Sequence, residues 1–93
     1  MPASTRVRRF TDEAEAFRLA NGVRLGLAAG VRTTDHDRAV RATRALHTGI
    51  VWVNTHGTTV SEMPHGGVGH SGHGSDLSLA GLLDYTQVKH VKL

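Results

Sequence analysis

The stretch WVNTHGTTVSEMPHGGVGHSGHGSD, residues 52–76, decides how this chain folds. It contains six of the eleven glycines and four of the seven histidines, a density that core packing does not explain. Because glycine adopts positive φ without strain, this density indicates a loop with specific backbone turns. Long irregular segments in compact domains are usually functional or disordered. We therefore expect this glycine–histidine segment (residues 52–76) to carry the function.

The residues before the segment show the patterns of strands. Residues 50–53 (IVWV) are apolar on both faces, which predicts a strand of a parallel sheet. Residues 27–31 (LAAGV) predict a second buried strand, and their small side chains suggest close packing beneath a helix. Alternating strands and helices imply α/β packing with a parallel crossover.

Three helices are predicted around these strands. The first helix is predicted to begin after an N-cap at Asp12, three residues before Glu15. It is predicted to end at Gly22, a residue that tolerates the left-handed backbone conformation. The second starts at a capping Thr34 and runs to Gly49 with an apolar stripe at helical spacing. A third helix is expected to follow the glycine–histidine segment, capped by Asp76.

Composition limits the classes of protein that this chain can belong to. With 39% hydrophobic and 20% charged residues, the 93-residue chain has the composition of a soluble globular piece with a modest core. The longest apolar run has seven residues, whereas a membrane span takes about 20. The amino terminus lacks the apolar core of a secretory signal, so a cytoplasmic location is expected. The absence of cysteine excludes disulfides, thiolate metal sites and cysteine nucleophiles within the chain.

The positive charge of the chain raises the question of nucleic-acid binding. Nine arginines and two lysines against eight acids give a net charge of +3, and Arg38, Arg41 and Arg44 recur at helical spacing. No aromatic stacking residues are interleaved with them. We therefore interpret the stripe as a solvated helix face and expect no nucleic-acid partner.

Two catalytic or cofactor patterns within the segment do not have the surroundings they require. Residues 67–72 (GVGHSG) match the dinucleotide pattern GxGxxG, which works only between a strand and a helix. We interpret the run as a glycine-shaped turn. Ser71 with Asp76 suggests a hydrolase triad, but His73 stands where the nucleophile elbow needs glycine.

A metal site is the alternative that the histidines leave open. His65, His70 and His73 could act as zinc ligands, with His56 as a fourth. A glycine-rich loop does not pre-position imidazole rings, and few carboxylates are near in sequence to orient them. Under this hypothesis the chain would be a non-catalytic metal-binding or protein-interaction module.

Several motifs occur in a fixed order along the chain. Trp52-Val53-Asn54 is followed by residues 64–67 (PHGG), 71–74 (SGHG) and 84–89 (DYTQVK). This succession resembles the closing segment of the aldehyde dehydrogenase superfamily, particularly the aminobutyraldehyde and betaine aldehyde dehydrogenases. The likeness extends upstream and covers nearly the whole chain.

The resemblance implies an α/β fold that is part of an aldehyde dehydrogenase catalytic domain. It has a short, mostly parallel sheet, three helices and a C-terminal edge strand. Residues 1–93 would form a single partial domain, in which residues 85–93 are an oligomerisation-type strand. The implied partners are further copies of the chain or a complementing aldehyde dehydrogenase segment. No membrane partner is expected.

Members of this family transfer a hydride to NAD or NADP after a cysteine thiolate attacks the aldehyde and a glutamate activates water. The resemblance implies that the Rossmann domain and these catalytic residues lie upstream of Met1. We therefore assign no catalytic or cofactor-binding residue to the chain and expect no cofactor on it alone. It would oxidise an aldehyde only within a larger or split enzyme.

The resemblance also implies a set of residues that line the substrate tunnel. Many members have an aromatic residue at the position of His65, so His65 suggests a more polar tunnel. Glu62 could attract the ammonium group of an aminoaldehyde, and Glu62→Gln in an intact relative should raise KM for aminoaldehydes only. The tunnel residues are Asn54, Thr55, Gly57, Thr59, Glu62 and His65.

Overall fold

The computed structural model describes residues 5–93 as three helices and four short strands. Strands β2 and β3 pair in parallel, and β1 and β4 pair antiparallel. This arrangement confirms the α/β class, with a parallel pair as the longest piece of sheet. The elements are α1 (Glu13–Asn21), β1 (Leu25–Gly26), β2 (Ala28–Val31), α2 (His36–Ala45), β3 (Ile50–Val53), β4 (Val68–Gly69) and α3 (Ser78–Asp84).

The unit β2–α2–β3 is the parallel crossover that the sequence predicts. Its register places Ala28 opposite Ile50 and Val31 opposite Val53. The predicted strand at residues 27–31 is one residue shorter, because β2 begins at Ala28. The Leu27 carbonyl still accepts a hydrogen bond from the Ile50 N–H at 3.1 Å. The structure also leaves open space where a Cβ on Gly30 would lie, so that glycine is not needed for close packing.

Helices α1 and α2 are joined by polar contacts at both of their ends. At one end, the Glu13 carboxylate accepts hydrogen bonds from Arg41 at 2.6 and 2.9 Å and from Arg38 at 3.2 Å. At the other, the Asn21 amide donates to the Ala45 carbonyl at 2.8 Å and accepts from the His47 N–H at 2.9 Å. No residue of α1 is buried. Polar contacts therefore hold α1 in place more than apolar packing does.

The helix ends differ in detail from the sequence prediction. Asp12 caps α1 as predicted, accepting from the Glu15 N–H at 2.8 Å. Gly22 closes α1 with φ −77°, so the predicted left-handed stop is wrong. Asp35 caps α2 in place of Thr34, because its carboxylate reaches the Arg38 N–H at 3.1 Å.

Helix α2 also ends earlier than predicted, at Ala45 instead of Gly49. The side-chain amide of Asn21 explains this end, because it donates a hydrogen bond to the carbonyl of Ala45 and accepts one from the N–H of His47. These backbone groups therefore have partners outside a helix.

The third helix begins at Ser78 rather than directly after an Asp76 cap. Both backbone groups of Asp76 are paired with His65, so Asp76 belongs to a bridge instead of a helix start. Leu77 occupies the cap position with φ 62° and makes no side-chain cap bond. Gly81 is the buried residue of α3, while Leu79 and Leu82 are more than half exposed.

The C-terminal tail does not form the predicted edge strand. Residues 86–93 have no regular secondary structure and are exposed, with Val88 at 95%. A strand needs a neighbouring strand to take its backbone hydrogen bonds. The part of the chain that the structure describes provides none for this tail.

Within residues 5–93, no helix is long and apolar enough to cross a membrane.

The surface of the chain is large for its size. Its accessible area is 8137 Å², roughly 2,900 Å² more than the value of about 5,200 Å² expected for a folded monomer of this mass. The radius of gyration is 16.9 Å, compared with about 12 Å for a compact domain of this length. In the described residues, the buried apolar core consists of Ala39 and Ala42. Much apolar surface is therefore left uncovered.

Candidate functional site

The glycine–histidine segment begins with a turn folded back on β3. The indole N–H of Trp52 donates a hydrogen bond to the Thr58 carbonyl at 2.7 Å. The ring of His56 packs edge-on against Trp52, with 4.8 Å between ring centroids. One aromatic side chain therefore holds the first turn of the segment.

Asn54 fastens the carboxyl ends of the two parallel strands. Its N–H donates to the Val31 carbonyl at 2.7 Å, and its side-chain amide exchanges two hydrogen bonds of 2.9 Å with the backbone of Thr33. Its φ of 55° is a left-handed conformation that asparagine tolerates better than most residues. Asn54, predicted to line a tunnel, thus has a positioning role in this structure.

The middle of the segment is clamped by a two-residue bridge. His65 and Asp76 exchange two backbone hydrogen bonds of 2.7 Å each. The N–H of Ser78 also donates to the Ser61 carbonyl at 2.8 Å, which ties the start of α3 to the segment. The backbone of His65 is therefore fixed, although it lies in a loop.

Glycines allow the residue just before β3 to cross the segment in direct contact. A Cβ on Gly49 would overlap the carbonyl oxygen of Gly66. A Cβ on Gly66 would lie 2.5 Å from the carbonyl oxygen of Gly74. These glycines serve close approach of backbones rather than flexibility.

Residues 67–72 form a tight turn against β1. Ser71 Oγ accepts a hydrogen bond from the Gly26 N–H at 2.8 Å, and β4 pairs with β1 on the same side. The helix that would receive a phosphate does not follow this run, since α3 starts at Ser78. The run is therefore a turn and not a dinucleotide loop, and Ser71 holds this turn against β1.

Two grooves flank the clamped part of the segment. The apolar groove has a volume of about 400 Å³, and the polar groove has a volume of about 420 Å³. Among the described residues, His65 is the one that lines both. The apolar groove is lined by Gly49, Ile50, Val51, Trp52, Thr58, Thr59, Val60, Met63, Pro64, His65 and Leu77. The polar groove includes Ser71, His73, Ser75, Asp76, Asp84 and Tyr85.

The structure brings together part of the predicted tunnel set. Thr59 and His65 lie on the apolar groove, whereas the other four tunnel residues do not line it: Asn54, Thr55, Gly57 and Glu62. Trp52, Met63 and Leu77 line it without having been predicted. In the sequence, Trp52 fits the apolar pattern of a strand and Leu77 fits the pattern of a helix. Neither residue was therefore identified as a site residue.

The histidines do not form a metal centre in this structure. Within residues 5–93, no group of three His, Cys, Asp or Glu side chains is close enough to hold a metal ion. His65, His70 and His73 are therefore not brought together, as the alternative hypothesis requires. Turns fixed by Gly69 and Gly72, both at positive φ, separate these histidines along the loop.

The arginine stripe is engaged in structural contacts. Arg38 and Arg41 both bind Glu13, and the hydrogen bond from Arg41 is the main reason why the pKa of Glu13 lies below its ordinary value. Two of the three stripe arginines therefore have a partner within the chain. The side chains of Arg38 and Arg41 are nevertheless about half exposed, at 55% and 52%.

Comparison with known proteins identifies the class of this chain. The profile of the aldehyde dehydrogenase family matches residues 5–91. The chain belongs to the aldehyde dehydrogenase family.

A curated relative and solved structures give the same result. The (Z)-2-((N-methylformamido)methylene)-5-hydroxybutyrolactone dehydrogenase of Acinetobacter baylyi is 48% identical over 84 residues, which are 90% of this chain and 17% of the relative. A doubly substituted betaine aldehyde dehydrogenase of Staphylococcus aureus, solved with NAD+, is 37% identical with a TM-score of 0.86, covering 90% of this chain and 17% of that one. PnpE from a Pseudomonas species, solved with nicotinamide adenine dinucleotide, is 35% identical with a TM-score of 0.82, covering 86% of this chain and 16% of that one.

The chain thus spans about a sixth of the length of these relatives. The conformation described above is that of the matching part of much larger enzymes. The resemblance of the motifs to betaine aldehyde dehydrogenases is confirmed by these structures.

Proposed function

We propose that the glycine–histidine segment forms one wall of the aldehyde-binding tunnel of an NAD- or NADP-dependent aldehyde dehydrogenase. The apolar groove carries this proposal. It is concave and mostly apolar, with Trp52, Met63 and Leu77 among its lining and His65 as a polar group. Small-molecule sites typically combine such a lining with a few placed polar groups.

The chain acts in this proposal as part of a larger or two-part enzyme. It contains no cysteine, so the thiolate that attacks the aldehyde comes from elsewhere in the enzyme. Residues 67–72 do not form a phosphate-binding loop, so the nicotinamide cofactor also belongs to the remainder. The roughly 2,900 Å² of surplus surface on this one chain exceeds the about 1,000–2,500 Å² that each partner of an obligate interface contributes, since such interfaces bury about 2,000–5,000 Å² in total. The partner is a complementing aldehyde dehydrogenase segment or further copies of the chain.

The substrate that we propose is a polar aldehyde. The Acinetobacter baylyi relative acts on a compound whose name specifies a formamide and a hydroxyl group. Thr59 and His65 supply polar groups on the wall. We propose Thr55, Gly57 and Glu62, which are exposed in this structure, as outer residues of the tunnel.

A fragment-complementation assay tests this function. The Acinetobacter baylyi relative is produced without its 84 matching residues and mixed with this chain, an aldehyde and NAD or NADP. Reduced nicotinamide should form in the mixture but with neither part alone. The matched control is a Gly49→Leu chain, whose side chain blocks the crossing with Gly66 and should fail to restore turnover. A complex that assembles but oxidises no aldehyde with either cofactor would contradict the proposal.

A further inference from the structure

The two asparagines of the chain differ in the residue that follows each of them. Asn21 is followed by Gly22, and Asn54 is followed by Thr55. In an Asn-Gly pair, the backbone nitrogen of glycine can attack the side-chain carbonyl carbon of asparagine, because glycine has no Cβ to hinder the approach. The branched side chain of Thr55 hinders the same attack on Asn54. The sequence therefore makes Asn21 the asparagine that loses its amide more readily.

The fold shields Asn21 as long as α1 lies against α2. Its side-chain amide donates a hydrogen bond to the Ala45 carbonyl at 2.8 Å and accepts one from the His47 N–H at 2.9 Å. The Gly22 N–H donates to the Leu19 carbonyl at 3.3 Å. Both the amide that would be attacked and the nitrogen that would attack it therefore have other partners. These contacts must open before the two groups can react.

Helix α1 is held in a way that lets it open. None of its residues is buried, and both Asn21 and Gly22 are exposed. The contacts that fasten its other end to α2 are the exposed ion pairs of Glu13 with Arg38 and Arg41. Elements with few buried apolar contacts open locally at a low cost in free energy. The end of α1 is therefore free of its clasp for part of the time.

We propose that Asn21 is a site of spontaneous deamidation, which proceeds when α1 opens and then keeps α1 from closing. The Gly22 nitrogen forms a bond to Cγ of Asn21, and the bond from Cγ to Nδ2 breaks. Ammonia leaves, and the proton of the Gly22 N–H passes to it through water. A second water molecule opens the resulting succinimide ring to aspartate or isoaspartate. This inference does not depend on the proposed function.

The product does not fit the clasp that held the amide. At neutral pH the new side chain is a carboxylate, which accepts hydrogen bonds but donates none. It would face the Ala45 carbonyl, another acceptor, where the amide had donated at 2.8 Å. Asn21 and Ala45 are the last residues of α1 and α2, and the helix dipole disfavours a negative charge at these ends. Deamidation therefore weakens the attachment of α1 irreversibly.

The reaction is measured on the full chain at neutral pH, in buffer and in guanidinium chloride. Mass analysis of the tryptic peptide of residues 19–24 reports the loss of the amide, and enzymatic methylation of isoaspartate confirms the product. Asn21 should lose its amide several-fold faster than Asn54, and faster in guanidinium chloride than in buffer. Gly22→Ala should slow the loss, because the added Cβ hinders the attack and lies at 3.3–3.4 Å from two carbonyl oxygens of α1.

Glu13→Gln tests whether the opening of α1 controls the reaction. It weakens the ion pairs at the far end of α1, so the loss of the Asn21 amide in buffer should be roughly two- to fivefold faster. The rate in guanidinium chloride should not change. Glu62→Gln is the matched control, because the Glu62 carboxylate makes no ion pair to the described residues.

Four results in these experiments would overturn the inference. They are equal loss at Asn21 and Asn54, equal rates in buffer and in denaturant, an undiminished rate in Gly22→Ala, and an unchanged rate in Glu13→Gln. The consequence is tested with Asn21→Asp and Asn21→Ala, which both remove the amide donor. Asn21→Asp should lower the ratio of folded to unfolded chain by a further two- to fivefold or about that. Equal stability of the two variants would overturn the claim that the carboxylate keeps α1 from closing.

Discussion

Asn54 connects β2 and β3 through a side chain at the point where the two strands end. Replacing it with alanine removes both amide hydrogen bonds to Thr33 and places alanine at φ 55°. We expect Asn54→Ala to reduce the free energy of unfolding by about 2 kcal/mol. Urea unfolding followed by the fluorescence of Trp52 measures this change.

Asn54→Gly separates the contribution of the amide hydrogen bonds from that of the left-handed backbone conformation. Glycine accepts the left-handed backbone without strain but cannot bond to Thr33. Its stability should therefore lie between those of the original chain and Asn54→Ala. A stability of Asn54→Gly at or below that of Asn54→Ala would contradict a cost of the left-handed backbone for alanine.

The crossing of Gly49 and Gly66 predicts strong intolerance to a single methyl group. In Gly49→Ala, the new Cβ meets the Gly66 carbonyl, and we expect a loss of roughly 1–3 kcal/mol in unfolding free energy. Gly30→Ala is the matched control, because its Cβ meets open space. It should be neutral or stabilising by about 0.4–1 kcal/mol. Similar losses in both variants would contradict the close crossing.

At the scale of elements, the contacts that hold the helices depend on ionised carboxylates. Hydrogen bonds from Arg41 to Glu13, from the Thr11 N–H to Glu15 and from the Arg38 N–H to Asp35 lower the pKa of each acceptor. Since each folded pKa lies below the unfolded value, this stabilisation is present above the unfolded pKa of about 4. It is lost as pH falls through the folded pKa.

The melting temperature should therefore fall on acidification from about pH 5 to pH 3. Glu13→Gln should have a lower melting temperature at neutral pH and a smaller fall, because glutamine cannot pair as an anion with Arg38 and Arg41. Glu62→Gln is the control, since the Glu62 carboxylate makes no hydrogen bond or ion pair to the described residues. Calorimetric scans across this range give the comparison. Parallel pH curves for Glu13→Gln and the original chain would rule out this role of Glu13.

The elements that could be predicted from sequence are those with a local signal. The apolar run of β3 and the Asp12 cap each depend on neighbouring residues, and both occur as expected. The end of α2 could not be predicted, because Asn21, 24 residues away from Ala45, determines it. The start of α3 likewise depends on the pairing of Asp76 with His65.

The candidate site was predictable as a segment but not as a set of residues. Glycine and histidine density identified residues 52–76, and Thr59 and His65 do line the apolar groove. Trp52 and Leu77 join that groove only after the segment has folded back, which no local pattern encodes. The burial of the His65 Nδ1 is a property of packing, and sequence carries no signal for it.

At the scale of the whole molecule, exposed apolar faces predict association. Helix α3 exposes Leu79 at 67% and Leu82 at 62%. We expect the chain alone to self-associate or fold poorly, and the double substitution L79S/L82S to weaken association on the order of tenfold. Val7→Ser, at an exposed position outside α3, is the control. Analytical ultracentrifugation measures the masses, and a monodisperse, cooperatively melting monomer would contradict this expectation.

The uncovered surface also has a consequence for the life of the protein in the cell. Quality-control proteases and chaperones act on chains that expose apolar segments, and small differences in stability change abundance several-fold. If the proposed two-part enzyme exists, copies of the chain without the complementing segment would be degraded first. The amount of the chain would then follow the amount of that segment, so that proteolysis, rather than synthesis, would set the ratio of the two.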